Sequence, residues 1–169
     1  GAVAAGVAEL GILPKPNDMV FQQASAATGQ GIVMAKYREF FRKHGLKVAQ
    51  ILLTAEDLST RVSYLHTCGV LETLLQLGVV PIINENDVTS IDELIPVTKG
   101  YRVNFSDNDL LSVLVANAVE ADLVAILSDV EGLYTMNPKK PEACIIRTVC
   151  EISPELKGAV EGKSRLGRG

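Results

Sequence analysis

The chain has 169 residues, of which 47% are hydrophobic and 21% are charged, and its formal net charge is −4. This length and composition suit one globular domain with a hydrophobic core, and they exclude an intrinsically disordered chain. The acidic balance provides no positive field that would attract a phosphate backbone, so nucleic-acid binding is not expected.

The first predicted elements are a helix and a strand. Apolar residues at near-helical spacing predict a helix over 20–43, with Gly29 and Gly31 weakening its middle. The apolar run "KVAQILLT" over 47–54 then predicts a short β-strand. A helix followed at once by a buried strand begins the alternation of an α/β protein.

A second helix and a second strand follow directly. The segment 57–78 returns to a helical period and stops at Gly78, which is a suitable residue for the carboxyl end of a helix. The run "VVPII" over 79–83 predicts another buried strand, although Pro81 counts against a central position in a sheet.

The last two predicted elements repeat the alternation. Residues 108–120 fit a helical period, and the apolar run "LVAIL" over 123–127 predicts one more strand. Apolar strands separated by helices are typical of a parallel sheet covered on both faces. We therefore predict an α/β fold over 1–169, a three-layer α/β/α sandwich with a mainly parallel sheet.

Polar residues follow each predicted strand. Thr54 and Asp57 follow the first, "NENDVTS" (84–90) follows the second, and "SDVEGLY" (128–134) follows the third. Each residue alone is equally well explained by helix capping or turn formation. Ligands of parallel α/β sheets bind at the carboxyl ends of the strands, however. Carboxylates that converge there repel one another unless a cation balances them, which favours a metal-bound nucleotide or an amino group as ligand.

The cysteines predict neither a disulfide framework nor a zinc site. Cys68, Cys144 and Cys150 are scattered and form no CxxC pair, which indicates a reducing compartment. The two histidines are isolated in the sequence and fit ordinary structural roles. No apolar run reaches the roughly 18 residues that a membrane span needs. The sequence does not open on a signal peptide, so we expect a soluble, cytoplasmic protein.

The closing segment "EGKSRLGRG" (161–169) is rich in glycine and carries three cations, Lys163, Arg165 and Arg168. Backbone N–H groups of glycine turns can bind phosphates, with cations adding charge. A flexible basic tail would have the same composition, so the segment alone leaves both readings open. The sequence contains neither a P-loop motif nor GxGxxG after a strand, and it has no GxSxG elbow.

Several motifs together resemble one family. "PIINENDV" (81–88), "FSDNDLLSVLVANAVEADLVAILSDVEGLYTMNP" (105–138) and "KSRLGRG" (163–169) look like the glutamate 5-kinase branch of the amino acid kinase family. "GAVAAG" (1–6) and "AATGQG" (26–31) fit the same branch. The resemblance covers nearly the whole chain in the right order, and the combination of NEND, DND and SDVEGLY is highly specific.

The resemblance implies an ATP-dependent, Mg²⁺-assisted transfer of the γ-phosphoryl group to the side-chain carboxylate of L-glutamate, the first step of proline synthesis. It implies that Asp87 and Asn108 hold glutamate, and that Asp107 assists in placing the substrate or Mg²⁺. Asp109 would organise the catalytic site by orienting lysines that touch the transferring phosphoryl group. No residue of the chain is assigned as a metal ligand.

The resemblance also implies a nucleotide site. Ser128 and Asp129 match the family's Thr-Asp pair, and the serine keeps the hydroxyl. Arg168 and Gly169 fall where the glycine-rich nucleotide loop begins. The arginine resembles the kinase half of bifunctional proline-synthesis enzymes, for which a mitochondrial location is the alternative. The interval 88–104 matches the region that covers glutamate and is associated with feedback inhibition by L-proline; a surface loop without a role is the alternative.

Parts of the family pattern have no counterpart in residues 1–169. These are the first strand with its lysine-glycine turn, a serine that contacts glutamate, and a second phosphate-binding lysine. We therefore expect an internal segment of one kinase domain, incomplete at both ends and nearly inactive alone. Its open sheet edge would favour association, and the protein is expected to be a homo-oligomer. Two alternatives stay open, a sister kinase acting on acetylglutamate or aspartate, and a non-catalytic amino-acid sensor.

Overall fold

The computed structural model describes residues 1–12, 18–89, 108–154 and 156. The described residues form five helices and four strands. In chain order these are α1 (Ala2–Leu10), α2 (Met19–Arg42), β1 (Lys47–Leu53), α3 (Ala55–Ser59), α4 (Arg61–Gln76), β2 (Val79–Glu85), α5 (Asn108–Ala118), β3 (Leu133–Tyr134) and β4 (Ile145–Ile146). They divide into two compact units, of which the first extends to Val124 and the second begins at Ala125.

The strands β1 and β2 form a parallel sheet in the first unit. Lys47 lies opposite Val79 and Leu53 lies opposite Glu85, so the two carboxyl ends lie side by side. Both strands confirm the sequence predictions, but β2 is two residues longer than predicted and includes the first two residues of NEND. Pro81 lies inside β2, which is tolerated because β2 is paired on only one side within the described residues.

The helix predicted over 57–78 is confirmed in its larger part as α4, but the chain first forms the separate helix α3 and is broken at Thr60. The Thr60 backbone is extended, with φ −91° and ψ 141°. Its hydroxyl oxygen accepts the N–H of Ser63 at 3.3 Å and so caps α4. Gly78 has φ 67° and donates its N–H to the carbonyl of Leu75 at 2.9 Å, which confirms the glycine at the helix end.

The helices α1 and α2 pack closely against each other. Asp18 caps α2 by accepting the N–H of Phe21 at 3.0 Å. Gly6 of α1 and Gly29 of α2 are buried, and a Cβ on Gly29 would overlap the carbonyl oxygen of Ala2. The pattern of apolar residues does not reveal α1, because its interface with α2 consists of small residues rather than a periodic row of large apolar ones.

The prediction of a strand over 123–127 is wrong. These residues have no regular structure and are exposed, Leu127 at 96%. A strand requires a neighbour that pairs its backbone groups, and no described strand pairs with this run. The second unit contains instead the antiparallel pair β3 and β4, with Leu133 opposite Ile146. Two-residue strands are too short to produce a recognisable period.

The core of the first unit lies at the carboxyl end of β1. Leu53 of β1 and Leu111 of α5 are buried and form a cluster that joins α5 to the sheet. Partly buried residues packed against it are Ile51, Ala55, Leu58, Ile83, Leu114 and Val115.

The helices predicted over 20–43 and 108–120 are confirmed as α2 and α5. The protein thus has the predicted α/β fold, whereas the three-layer arrangement stays a prediction.

None of the described helices combines the length and the apolar character needed to cross a membrane.

Candidate functional site

Asp87 lies in a tight turn directly after β2. The strand ends at Glu85, and the N–H of the next residue, Asn86, donates to the carbonyl oxygen of Leu53 at 2.8 Å. The carbonyl of Asn86 in turn accepts the N–H of Thr89 at 3.2 Å. The second bond closes the turn across Asp87, and the first fastens the turn to the end of β1. We call residues 86–89 the Asp87 turn.

The environment of Asp87 is unfavourable for a negative charge. The side chain is partly buried, and this burial raises the pKa of the Asp87 carboxyl above its usual range. The physical cause is desolvation, because a carboxylate loses water contacts that the protein only partly replaces. An ammonium group next to Asp87 would restore the lost stabilisation. The residue is therefore suited to bind a cationic group of a ligand.

The first turn of α5 contains two of the predicted site residues. Asn108 is the first described residue of the helix and Asp109 is the second, and both are exposed. Leu111 lies within the same helical turn and packs against Leu53. Since Leu53 also accepts the N–H of Asn86, it connects the first turn of α5 with the Asp87 turn.

The polar residues after β1 are hydrogen bonded to each other. The N–H and the hydroxyl of Thr54 both donate to Oδ2 of Asp57, at 2.7 and 2.8 Å. The N–H of Asp57 donates to the carbonyl of Thr54 at 3.1 Å. Both residues follow the predicted strand in the sequence, which by itself assigns no role to either of them. The signal that could have paired them is the spacing in "TAED", which fits a capping box.

Ser128 and Asp129 lie in the second unit. Both are exposed, and the Ser128 hydroxyl donates to Oδ1 of Asp129 at 3.4 Å. A hydroxyl and a carboxylate at an accessible surface can hydrogen bond to the amino and hydroxyl groups of a nucleoside. The nucleotide site that the family resemblance implies for these two residues stays a prediction.

Three predicted site residues, Asp107, Arg168 and Gly169, lie outside the described residues. The same holds for most of the interval 88–104, of which only Val88 and Thr89 are described. Within the described residues, no group of three or more His, Cys, Asp or Glu side chains could hold a metal ion. The oxygen side chains present fit Mg²⁺ only in its usual arrangement with nucleotides, where phosphates and waters supply most of the ligands.

Comparisons with known proteins agree on one family. The family described as "Amino acid kinase family" matches residues 1–166. The chain is 51% identical to a glutamate 5-kinase of Methanosarcina barkeri over 93% of its own length, and 47% identical to one of Dehalococcoides mccartyi over 100%. A glutamate 5-kinase of Myxococcus xanthus is 46% identical over 97% of the chain. The chain spans 39%, 44% and 41% of the lengths of these curated relatives.

Proposed function

The chain belongs to the amino acid kinase family, and we propose that the whole protein transfers the γ-phosphoryl group of ATP to the side-chain carboxylate of L-glutamate. The observation that carries the proposal is the position of Leu53, which connects the Asp87 turn with the first turn of α5. The relatives named glutamate 5-kinase support the choice of glutamate. We also propose that residues 1–169 are part of one amino acid kinase domain.

The proposed substrate contacts follow from charge and hydrogen bonding. Asp87 pairs with the ammonium group of glutamate, which offsets the desolvation of its carboxylate. The amide of Asn108 donates to a carboxylate of glutamate, and Asp107 assists in placing the substrate or Mg²⁺. This assignment explains why a carboxylate occupies a partly buried position that disfavours its charge.

The proposed reaction is an in-line displacement at phosphorus. A side-chain carboxylate oxygen of glutamate bonds to the γ-phosphorus while the bond to the β–γ bridging oxygen breaks. The products are γ-glutamyl phosphate and ADP, and no proton is taken up or released. Bound Mg²⁺ would neutralise charge on the phosphate oxygens.

The protein's own part in this reaction is to position groups and to balance charge. Asp109 orients the cationic groups that contact the transferring phosphoryl group. Ser128, Asp129, Arg168 and Gly169 bind the nucleotide. The exposed hydroxyl and carboxylate of the first two support this part of the proposal.

The test compares acceptors in the intact protein with ATP and Mg²⁺. We expect glutamate-dependent release of ADP, together with an acyl phosphate that hydroxylamine traps as a hydroxamate. Larger rates with acetylglutamate or aspartate would favour a sister kinase. Calorimetric binding of glutamate without any ADP release would favour the amino-acid sensor, and the absence of any response to glutamate would refute the proposal.

The remaining parts of the proposal concern regulation, assembly and location. L-proline acts as a feedback inhibitor, and the protein is a homo-oligomer. It lies in the cytoplasm, with a mitochondrial location as the alternative. These parts are supported by the family resemblance alone. Titration of L-proline into the glutamate-dependent assay should lower the rate, and a rate that is indifferent to L-proline would contradict this regulation.

A further inference from the structure

Leu53 contacts both halves of the candidate glutamate site. Its carbonyl oxygen accepts the N–H of Asn86, the residue before Asp87, at 2.8 Å. Its side chain is only 5% exposed and packs against Leu111, which lies two residues after Asp109. A rotation or shift at Leu53 would therefore disturb both halves together.

The peptide unit between Leu53 and Thr54 is hydrogen bonded at both ends, through the Leu53 carbonyl to Asn86 and through the Thr54 N–H to Asp57. The Leu53 carbonyl and the Thr54 N–H belong to one trans, planar peptide unit, so they point in opposite directions. The N–H donates to Oδ2 of Asp57 at 2.7 Å, and the Thr54 hydroxyl donates to the same oxygen at 2.8 Å. Fixing the direction of the N–H also fixes the direction of the carbonyl, because the unit rotates as a whole.

We propose that Asp57 is a positioning residue for glutamate. It holds the Leu53–Thr54 peptide, which keeps the Leu53 carbonyl on Asn86 and so sets the position of Asp87. The inference rests on the proposed function and deepens it, since it assigns a part of substrate placement to a side chain outside the Asp87 turn and the first turn of α5. A residue that only capped α3 would affect stability and leave glutamate affinity unchanged.

The kinetic test uses the intact protein and three variants. Asp57→Ala removes both hydrogen bonds and should raise the KM for glutamate about tenfold, while the KM for ATP changes by less than about twofold. Asp57→Glu should restore most of the affinity for the substrate, because a Glu side chain is common at the N3 position of a capping box, which Asp57 occupies. The matched control is Thr60→Ala, which removes the α4 cap made with Ser63 and should lower thermal stability without a change in KM.

A second measurement is independent of the substrate. Hydrogen exchange followed by NMR should show the Asn86 amide exchanging about tenfold faster in Asp57→Ala, with the amide of Met34 in α2 as internal reference. Unchanged exchange at Asn86 would overturn the inference whichever substrate the protein uses. Faster exchange in a protein that does not phosphorylate glutamate would overturn the proposed function instead.

A milder variant covers the case in which Asp57→Ala does not fold. Thr54→Val keeps the backbone bond to Asp57 and loses only the hydroxyl bond. It should shift the KM for glutamate and the exchange of Asn86 by about threefold, and Thr54→Ser should restore both. A shift of the same size in Thr60→Ala, or no shift in Thr54→Val, would overturn the inference.

Discussion

Gly29 of α2 lies so close to Gly6 of α1 that a Cβ on Gly29 would be 2.6 Å from the Gly6 nitrogen. The atoms that a larger side chain would meet belong to the α1 backbone, so the two helices would have to move apart. We expect Gly29→Ala to lower the free energy of unfolding by about 1–3 kcal/mol, as measured by urea denaturation.

The matched control lies two residues further along the same helix. A Cβ on Gly31 would have no neighbouring atom within 4 Å. Gly31→Ala should therefore stabilise the protein by about 0.5–1 kcal/mol, because alanine is the better helix former. Equal effects of the two substitutions would contradict the close contact between α1 and α2.

A second prediction concerns the contact between Leu53 and Leu111. Leu111→Ala should destabilise the protein by about 2–5 kcal/mol, because it leaves a cavity in the buried cluster. Val62→Ala is the control, since Val62 is 82% exposed and its truncation should change stability by less than about 0.5 kcal/mol. A double-mutant cycle with Leu53→Ala should give a coupling of about 0.5–3 kcal/mol, and strictly additive losses would contradict direct packing.

The sequence predicts those elements whose buried face carries large apolar residues. This holds for β1, β2 and α5, whose Leu53, Ile83 and Leu111 pack in the buried cluster. The helix α2 is predicted although its buried residues are mostly small and large apolar residues such as Val20 and Phe40 are exposed. The apolar pattern fails for α1, because close packing against α2 relies on Gly6 and Gly29, which carry no side chain to reveal a period. It also fails for 123–127, because an apolar run shows that a strand is possible but not that a neighbouring strand pairs with it.

The candidate site is predictable to a similar extent. The pattern of the sequence places polar residues at the carboxyl ends of strands and at the start of a helix. The choice of Asp87, Asn108 and Asp109 among them is implied by the family resemblance and stays a prediction. The bond from Asn86 to Leu53 could not be named, since it depends on the register of β1 against β2. The connecting role of Leu53 depends on tertiary packing, which no local sequence pattern encodes.

A third prediction concerns stability and pH at Asp87. Burial raises the pKa of the Asp87 carboxyl in the folded state, so the folded protein binds this proton more tightly than the unfolded chain. The ionised carboxylate is therefore destabilising above the folded pKa, and this effect vanishes below the unfolded pKa, where both states are protonated. Asp87→Asn should stabilise the unliganded protein at neutral pH and lose this advantage on acidification, in denaturation experiments across that range.

Asp87→Asn should also weaken the binding of glutamate. Loss of a charge-assisted hydrogen bond to the ammonium group predicts a KM for glutamate that is about 10- to 100-fold higher. Asp122→Asn, at an exposed position, is the control for both measurements. A variant at Asp87 that is less stable than the wild type at neutral pH would contradict the desolvation, and an unchanged KM would contradict the substrate contact.

A fourth prediction concerns the second unit. Asp129→Ala should raise the KM for ATP about tenfold and leave calorimetric glutamate binding unchanged, because its carboxylate is assigned to the nucleotide alone. Ser128→Thr keeps the hydroxyl and should retain nearly normal kinetics. Glu142→Ala, which removes another exposed carboxylate of this unit, is the control. Equal effects of Asp129→Ala and Glu142→Ala on ATP would argue for general electrostatics rather than a nucleotide contact.

The last prediction separates catalysis from binding at Asp109. Asp109→Asn keeps the size of the side chain and removes its charge, so kcat should fall by about a hundredfold or more while glutamate still binds. The fold should survive, since a lost charge in the first turn of a helix costs about 0.3–1 kcal/mol. Glu120→Gln, just beyond the other end of α5, is the control and should keep normal turnover. If Asp109→Asn retained a nearly normal kcat, Asp109 would serve α5 as a favourable charge at the helix start, and the groups that act on the phosphoryl transfer would have to be sought elsewhere.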